Sequence, residues 1–142
     1  MMKRVIRFML SIYITLYRLT SGRFGGEVQG LRVLLLTTVG RKTHKMRTAP
    51  LGYFMDGDRY VVIASNAGSN IHPAWFHNLR EKPHVEGEIG RRTLQANAEI
   101  VDAVRRKSLW AILVKLAPGY ATYERKTTRE IPLVALRPLT NQ

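Results

Sequence analysis

The chain opens with a long apolar segment in which polar side chains return every three or four positions. These spacings predict a helix over residues 3–19. Its polar positions form one stripe: Arg4, Arg7, Ser11, Thr15 and Arg18. The remaining apolar face is wider than an ordinary surface helix needs. We therefore expect the helix to pack on its own domain, on a second copy of the chain, or in a membrane interface with its arginines toward the headgroups.

The rest of the chain alternates short apolar runs with turn signals. Strands are predicted over 31–38, 50–55, 59–65, 84–90, 92–101 and 131–138. Asp-Gly within 56–58 favours a tight hairpin. One helix is predicted over 73–82, with Pro73 at the first position of the helix, and another over 102–117. Residues 118–130 are predicted to be irregular or briefly helical. This pattern predicts an α+β protein with a small antiparallel barrel. A helix with a glycine-rich joint occupies 1–26, and the barrel domain occupies 27–142.

Positive charge is concentrated in the first third of the chain. The whole sequence has a formal net charge of +13, and residues 1–47 contain ten Lys or Arg side chains against Glu27 alone. Such an imbalance predicts an anionic partner, whether a nucleic acid, an acidic membrane surface or a small polyanion.

Several chemistries have little support in the sequence. There is no cysteine, which excludes disulfides and thiol catalysis and is compatible with a cytoplasmic protein. Gly-x-Ser-x-Gly, Gly-x-Gly-x-x-Gly and Walker motifs are absent, and no His and carboxylate cluster predicts a metal site. No apolar run reaches the roughly 20 residues that span a bilayer. The basic start followed by apolar residues is similar to a signal peptide, but Arg18 and the lack of a small-residue cleavage site argue against cleavage.

The segment GRKTHKMRTAP, residues 40–50, is the most concentrated basic stretch, and it follows a predicted buried strand. The guanidinium of arginine donates two parallel hydrogen bonds to a phosphate or carboxylate, whereas the ammonium of lysine binds these groups as a point charge. Two further segments supply candidate pocket residues: RYVVIASNAG has small side chains near its end, and HPAWFHNL has aromatic rings and an amide. The sequence therefore predicts an anion-binding pocket beside a barrel strand.

Four segments carry a family resemblance: LLLTTVGRKTHKMRTAPL, DGDRYVVIASNAG, HPAWFHNL and PGYATYERKTTREIPLVALRP. In this order and spacing they resemble the deazaflavin-dependent nitroreductase family, which consists of split β-barrel proteins that use coenzyme F420. The resemblance covers about residues 31–138. Coenzyme F420 joins a deazaflavin ring to a phosphodiester and an oligoglutamate tail, so the resemblance accounts for the basic loop.

The resemblance implies four groups of cofactor-binding residues. Phosphate and tail would contact Arg41, Lys42, Thr43 and Arg47. The ring and its sugar-like chain would lie beside Thr48, Ala49, Pro50, Leu51 and Gly52. The opposing strand and its exit would contribute Ile63, Ala64, Ser65 and Asn66. The wall formed by the short helix would contribute Ala74, Trp75, Phe76, His77 and Asn78.

The chemistry implied by the resemblance is transfer of a hydride from C5 of the reduced deazaflavin to an electron-poor acceptor. The protein would hold the two reactants in contact and exclude water. A hydroxyl from Tyr120, Tyr123 or Ser65 would stabilise the developing oxyanion or deliver a proton.

Three positions depart from the family pattern. His44 stands where glycine is usual, which requires a left-handed histidine if the loop is to turn in the same way. Asn66 replaces a frequent lysine and removes one cation from the site. Gly52 stands where some members have tyrosine, which opens the acceptor pocket.

Family members with such an N-terminal helix are membrane-associated and reduce quinones. The resemblance therefore implies a quinone, enone or nitro acceptor, with a lipophilic quinone or enone favoured. It also implies a cytoplasmic protein, monomeric or homodimeric, that contacts the inner face of an anionic membrane.

Other functions are also compatible with parts of the sequence. A related split-barrel oxidoreductase would use FMN, although a long basic loop suits an oligoglutamate tail better than a single phosphate. A non-catalytic F420 carrier would keep the anion-binding residues without acceptor chemistry. A nucleic-acid partner is not expected, because few aromatic residues alternate with the basic ones.

Overall fold

The computed structural model describes residues 2–139, which form four helices and seven strands. The helices are α1 (Met2–Leu19), α2 (Ala74–Glu81), α3 (Ala103–Leu116) and α4 (Gly119–Lys126). The strands are β1 (Glu27–Val28), β2 (Leu31–Val39), β3 (Met46–Asp56), β4 (Arg59–Ile63), β5 (His84–Ile89), β6 (Arg92–Ile100) and β7 (Leu133–Pro138). A short 3-10 turn, Asn66–Gly68, follows β4.

The sheet closes into an antiparallel barrel. Strands β2, β3, β4, β7, β6 and β5 pair in that order, and β5 returns to pair with β2 from Leu35↔Glu88 to Thr37↔Glu86. Strand β1 extends β2 at one edge. Closure removes the open sheet edges that would otherwise expose unpaired backbone groups.

Three groups of apolar side chains hold the fold together. The barrel interior contains buried side chains from the strands and from α2, among them Leu34, Leu36, Val62, Phe76 and Leu79. Outside the barrel, α3 and α4 cover a second group: Leu31, Phe54, Ile63, Leu109, Leu113 and Tyr120. Helix α1 covers a third, smaller group around Val33 and Leu35.

Helix α1 is attached through its C-terminal half. Tyr17 is 1% exposed, and its hydroxyl donates to the carbonyl of Val33 at 2.9 Å and accepts the N–H of Gly90 at 3.0 Å. The Tyr13 hydroxyl donates to the carbonyl of Gly25. Every residue from 2 to 12 is exposed, so most of the apolar face is uncovered. Within residues 2–139, no helix combines the length and apolar character that crossing a bilayer requires.

The predicted α+β barrel and the order of its elements are confirmed, with differences at several boundaries. Strand β3 begins at Met46, so the basic loop covers only 40–45 and its second half is strand. Strand β4 ends at Ile63, two residues early, and α2 starts after Pro73 rather than on it. The segment that the pattern left irregular contains α4.

Candidate functional site

A cavity of about 810 Å³ lies between α1, the basic loop, the start of β3 and α2. The loop and β3 contribute Gly40, Arg41, Lys42, Thr43, Met46, Arg47, Thr48 and Ala49. Helix α2 contributes Ala74, Trp75 and Asn78. Helix α1 contributes Arg7, Leu10, Ser11, Ile14, Thr15 and Arg18. Basic segments that are far apart in the sequence therefore surround one space.

The charge around this cavity has one sign. Its lining includes five cations and no carboxylate: Arg7, Arg18, Arg41, Lys42 and Arg47. Arg18 forms a two-point ion pair with Glu88, at 3.0 and 2.7 Å. Across residues 2–139, the side chains of the other four have no ion-pair or hydrogen-bond partner. A cluster of unpaired cations attracts a polyanion, because bound negative charge relieves the repulsion among them.

The basic loop is a closed turn. The Gly40 N–H donates to the Lys45 carbonyl, and the His44 N–H donates to the Gly40 carbonyl, both at 2.8 Å. His44 has a φ of 59°, so this histidine does adopt the left-handed conformation that the turn requires. A Cβ on Gly40 would lie 2.7 Å from the Thr43 hydroxyl and 3.1 Å from the Lys45 carbonyl, so a side chain there would require the turn to shift. Arg41 and Lys42 of this turn line the cavity.

Asn78 joins the loop to the barrel. This side chain is 5% exposed, and its Oδ1 accepts the Arg41 N–H at 3.0 Å. Its Nδ2 donates to the hydroxyl of buried Thr38 at 3.1 Å. A buried amide with both ends satisfied holds its neighbours in one geometry. Asn78 therefore has a structural role at the wall of the cavity.

One face of β3 leads away from the cavity. Alternate residues of a strand share a face, so Thr48, Pro50 and Gly52 lie along one line about 13 Å long. Thr48 lines the cavity, and its hydroxyl is 2.7 Å from that of Thr37 on β2. At the other end, a Cβ on Gly52 would lie 3.4 Å from the Tyr120 hydroxyl and 3.1 Å from Leu31. The strand face thus connects the basic cavity to a tyrosine pair.

Tyr120 and Tyr123 form an edge-to-face pair on α4, with ring centroids 5.5 Å apart. The Tyr123 hydroxyl accepts a hydrogen bond from Gln29 Nε2 at 2.8 Å. Among the residues described, the Tyr120 hydroxyl has no partner. Burial raises the pKa of Tyr120 above its ordinary value of 10.0, and Tyr123 adds to this. Tyr120 is therefore a neutral phenol near pH 7, with a proton free to donate beside Gly52.

Ser65 lies at the exit of β4, against the turn that packs on α4. Its carbonyl accepts from Arg129 Nη2 at 2.9 Å, and the neighbouring Ala64 carbonyl accepts from the same nitrogen at 3.1 Å. Arg129 Nε also donates to the Ser69 carbonyl at 3.0 Å. In the described part of the chain the Ser65 hydroxyl has no partner. Arg129 therefore fixes the backbone of this turn and leaves the serine hydroxyl available.

Two histidines, His72 and His77, lie beside the turn that Arg129 holds. The rings of His72 and His77 are 5.7 Å apart. Burial, followed by Arg129, His77 and Arg80, lowers the pKa of His72 below its ordinary value. Burial and then the charges of Arg41 and Arg80 lower the pKa of His77. Both rings are therefore neutral at pH 7.

The structure brings together half of the cofactor-binding residues that the resemblance implies. Nine of them line the cavity: Arg41, Lys42, Thr43, Arg47, Thr48, Ala49, Ala74, Trp75 and Asn78. Pro50 and Gly52 lie further along β3. Three pack in the barrel interior behind the cavity: Leu51, Ala64 and Phe76. Ile63 packs under α3 and α4. Asn66 is exposed on the turn after β4, where its Nδ2 donates to the Ile71 carbonyl at 3.1 Å. Ser65 and His77 lie outside the cavity lining.

Sequence reasoning missed the contribution of α1. The spacing of Arg7, Ser11, Thr15 and Arg18 did indicate a polar stripe, but the pattern of one helix does not tell which element its polar face meets. Arg7 and Arg18 of that stripe line the cavity, which fits the expectation that the helix packs on its own domain. Arg4 does not line the cavity.

Comparison with known proteins identifies the family. The sequence model described as F420H(2)-dependent quinone reductase matches residues 10–138. The chain belongs to this family. A Mycobacterium tuberculosis protein (strain ATCC 25618 / H37Rv) named F420H(2)-dependent quinone reductase is 38% identical over 135 residues, which cover 90% of this chain and 89% of the relative.

Solved structures agree with the barrel fold. A structure described as an F420-H2 dependent reductase is 32% identical, with a TM-score of 0.67, and the match covers 74% of this chain and 93% of the other. A second structure, described as a domain-swapped dimer, has the same identity and TM-score and is covered to 79%.

Membership of the F420H(2)-dependent quinone reductase family makes this protein an oxidoreductase and makes coenzyme F420, rather than FMN, its cofactor. The residues present fit that cofactor. Unpaired cations without a carboxylate suit the phosphodiester and glutamates of the tail.

Proposed function

We propose that this protein binds reduced F420 with its acidic tail in the basic cavity and its ring along β3, and that it reduces a quinone beside Tyr120. The observation that carries the proposal is the set of four unpaired cations around one cavity with no carboxylate in its lining. Arg41, Lys42 and Arg47 would bind phosphate and glutamate oxygens. Thr48, Ala49 and Pro50 would lie beside the sugar-like chain, and Trp75 would form the opposite wall.

Reduced F420 supplies a hydride from C5 of its deazaflavin ring. This chain supplies the place where the acceptor meets that hydride. Gly52 has no side chain, so the Tyr120 hydroxyl comes close to the β3 backbone, where a Cβ would lie 3.4 Å from it. As a quinone accepts a hydride, negative charge develops on one oxygen, and a neutral phenol can donate to that oxygen. We assign this role to Tyr120, with the Ser65 hydroxyl as a second donor and Tyr123 positioned by Gln29.

The test begins with binding. F420 and FMN are titrated in parallel against the full chain by fluorescence, and reduced F420 is then oxidised anaerobically with menadione, a nitroaromatic compound or cyclohexenone. We expect tight binding of F420, weak binding of FMN, and fastest oxidation by menadione. Binding without turnover of any acceptor would contradict the reductase and favour a carrier, and tighter binding of FMN would contradict the cofactor site.

The uncovered face of α1 suggests where the quinone is met. Met2 is 72% exposed, Phe8 67% and Met9 62%, so large apolar side chains face outward together. We propose that this face lies in the surface of an anionic membrane, because the apolar side chains are accompanied by Lys3 and Arg4, which complement acidic headgroups. Lipophilic quinones dissolve in the same layer.

Liposome sedimentation of the full chain tests this contact. We expect Phe8→Asp with Met9→Asp to reduce binding to vesicles that contain acidic lipid. The control is Val104→Asp, which alters an 83% exposed apolar residue on α3 and should leave binding unchanged. If light scattering shows a dimer that the double variant splits, while vesicle binding is absent, the face is covered by a second copy and the membrane proposal is wrong.

A further inference from the structure

Helix α1 provides the outer wall of the cavity that the basic loop opens into. Its side chains at Arg7, Ser11, Thr15 and Arg18 line the same space as Arg47. Arg7 is exposed, yet it lines the same cavity as Arg47, and an anion between these two cations would relieve their repulsion.

The two arginines of this wall differ in their partners. Arg18 is neutralised by Glu88, through two hydrogen bonds to its carboxylate. Arg7 has no carboxylate or hydrogen-bond partner within residues 2–139. The guanidinium of Arg7 is therefore available to bind a carboxylate with two parallel hydrogen bonds.

The distribution of the unpaired cations indicates the kind of anion. Because Glu88 neutralises Arg18, the cations left for an anion are Arg7 on the helix and Arg41, Lys42 and Arg47 on the loop and β3. An extended chain of carboxylates can contact several of these at once, whereas a single phosphate contacts fewer. The N-terminal half of α1 has no buried residue to hold it, so an anion that bridges Arg7 and Arg47 would also fix that half against the barrel.

We infer that α1 completes the cofactor site and that Arg7 binds a glutamate carboxylate of the F420 tail. This inference rests on the proposed binding mode and extends it to the helix that carries the exposed apolar face. One helix then contacts the cofactor with its polar stripe and turns its apolar residues outward.

The test compares F420 that carries several glutamates with the form that lacks them. Dissociation constants are measured by fluorescence titration of the full chain for wild type, Arg7→Ala and Arg7→Lys. The matched control is Arg4→Ala, which removes the same charge from the same helix at a position outside the cavity. We expect Arg7→Ala to weaken binding of the glutamate-bearing form about three- to tenfold and to leave the tail-less form within about twofold, with partial recovery in Arg7→Lys. Arg4→Ala should match wild type for both forms.

A second readout uses hydrogen exchange of the α1 amides. The glutamate-bearing cofactor should slow exchange in residues 2–12 of wild type but not of Arg7→Ala. Equal dissociation constants for wild type and Arg7→Ala would overturn the role of Arg7. An equal loss of affinity for both cofactor forms would overturn it as well. In either case the wild type would still bind F420, so the proposed function would stand. A wild type that does not bind F420 at all would refute the proposed function together with this inference.

Discussion

The side-chain oxygen of Asn78, on α2, accepts a hydrogen bond from the backbone N–H of Arg41, in the basic loop, at 3.0 Å. The nitrogen of the same amide donates to Thr38. Asn78→Ala would leave the buried Thr38 hydroxyl without this bond, and it would release the loop at Arg41. We expect a loss of about 1–3 kcal/mol in the free energy of unfolding together with weaker F420 binding, measured by urea denaturation and fluorescence titration. Glu81→Ala, an exposed change on the same helix, is the control, and equal stability of the two variants would contradict this role.

The left-handed His44 is a site of strain. Its φ of 59° costs a residue with a Cβ about 1 kcal/mol relative to glycine. Glycine also gains entropy in the unfolded chain, which offsets part of that relief. We expect His44→Gly to raise the free energy of unfolding by up to about 1 kcal/mol, whereas Lys45→Gly should lower it. A His44→Gly protein less stable than wild type would show that the imidazole makes a contribution larger than the strain.

Stability should fall on acidification because of His72. Arg129 Nη1 lies 3.1 Å from Nδ1 of this ring, which must accept there. Burial, followed by Arg129, His77 and Arg80, lowers the pKa of His72 in the folded protein. On acidification, the unfolded chain therefore takes up this proton at a higher pH than the folded protein does. The free energy of unfolding should therefore decrease as the pH falls below the ordinary value of 6.5. Urea unfolding at pH 7.5, 6.5 and 5.5 should show a shallower decrease in His72→Gln, and identical slopes would contradict the assignment.

Tyr120 should affect turnover more than binding. Tyr120→Phe removes the donor beside Gly52 but keeps the ring, so we expect kcat for menadione to fall at least about tenfold while the Kd for F420 stays within about twofold. Because burial raises the pKa of this phenol, its ionisation should cause no loss of rate between pH 7 and 9. Tyr123→Phe, whose hydroxyl is already bonded to Gln29, is the control. Equal losses in both variants would show that the Tyr120 hydroxyl has no special role as the donor.

Much of the fold was predictable from local pattern. Alternating apolar runs, the Asp-Gly turn and the stop at Pro83 identify strands and helices, because each follows from short-range geometry. The extension of β3 back to Met46 was not visible, since Arg47 and Thr48 look like loop residues until β2 pairs with them at Thr38 and Thr37.

The site was predictable to a smaller extent. The motifs indicated the basic loop and α2, which the structure brings to one cavity. The placement of α1 over that cavity depends on Tyr17, which is bonded to Val33 and Gly90. Such long-range contacts leave no periodic signal in the sequence. The same reason explains why the free Tyr120 hydroxyl beside Gly52 emerges only from the packing of α4 on the barrel.

The most direct measurement of the central claim is the dissociation constant of F420 for the variant in which Arg41, Lys42 and Arg47 are all changed to Gln. The control changes Lys107, Lys115 and Arg125 to Gln, which removes the same charge from α3 and α4, away from the cavity. If the cavity cations bind the tail, the first variant loses at least about 30-fold in affinity and the control loses less than about threefold. An unchanged dissociation constant in the first variant, or an equal loss in both, would contradict the account.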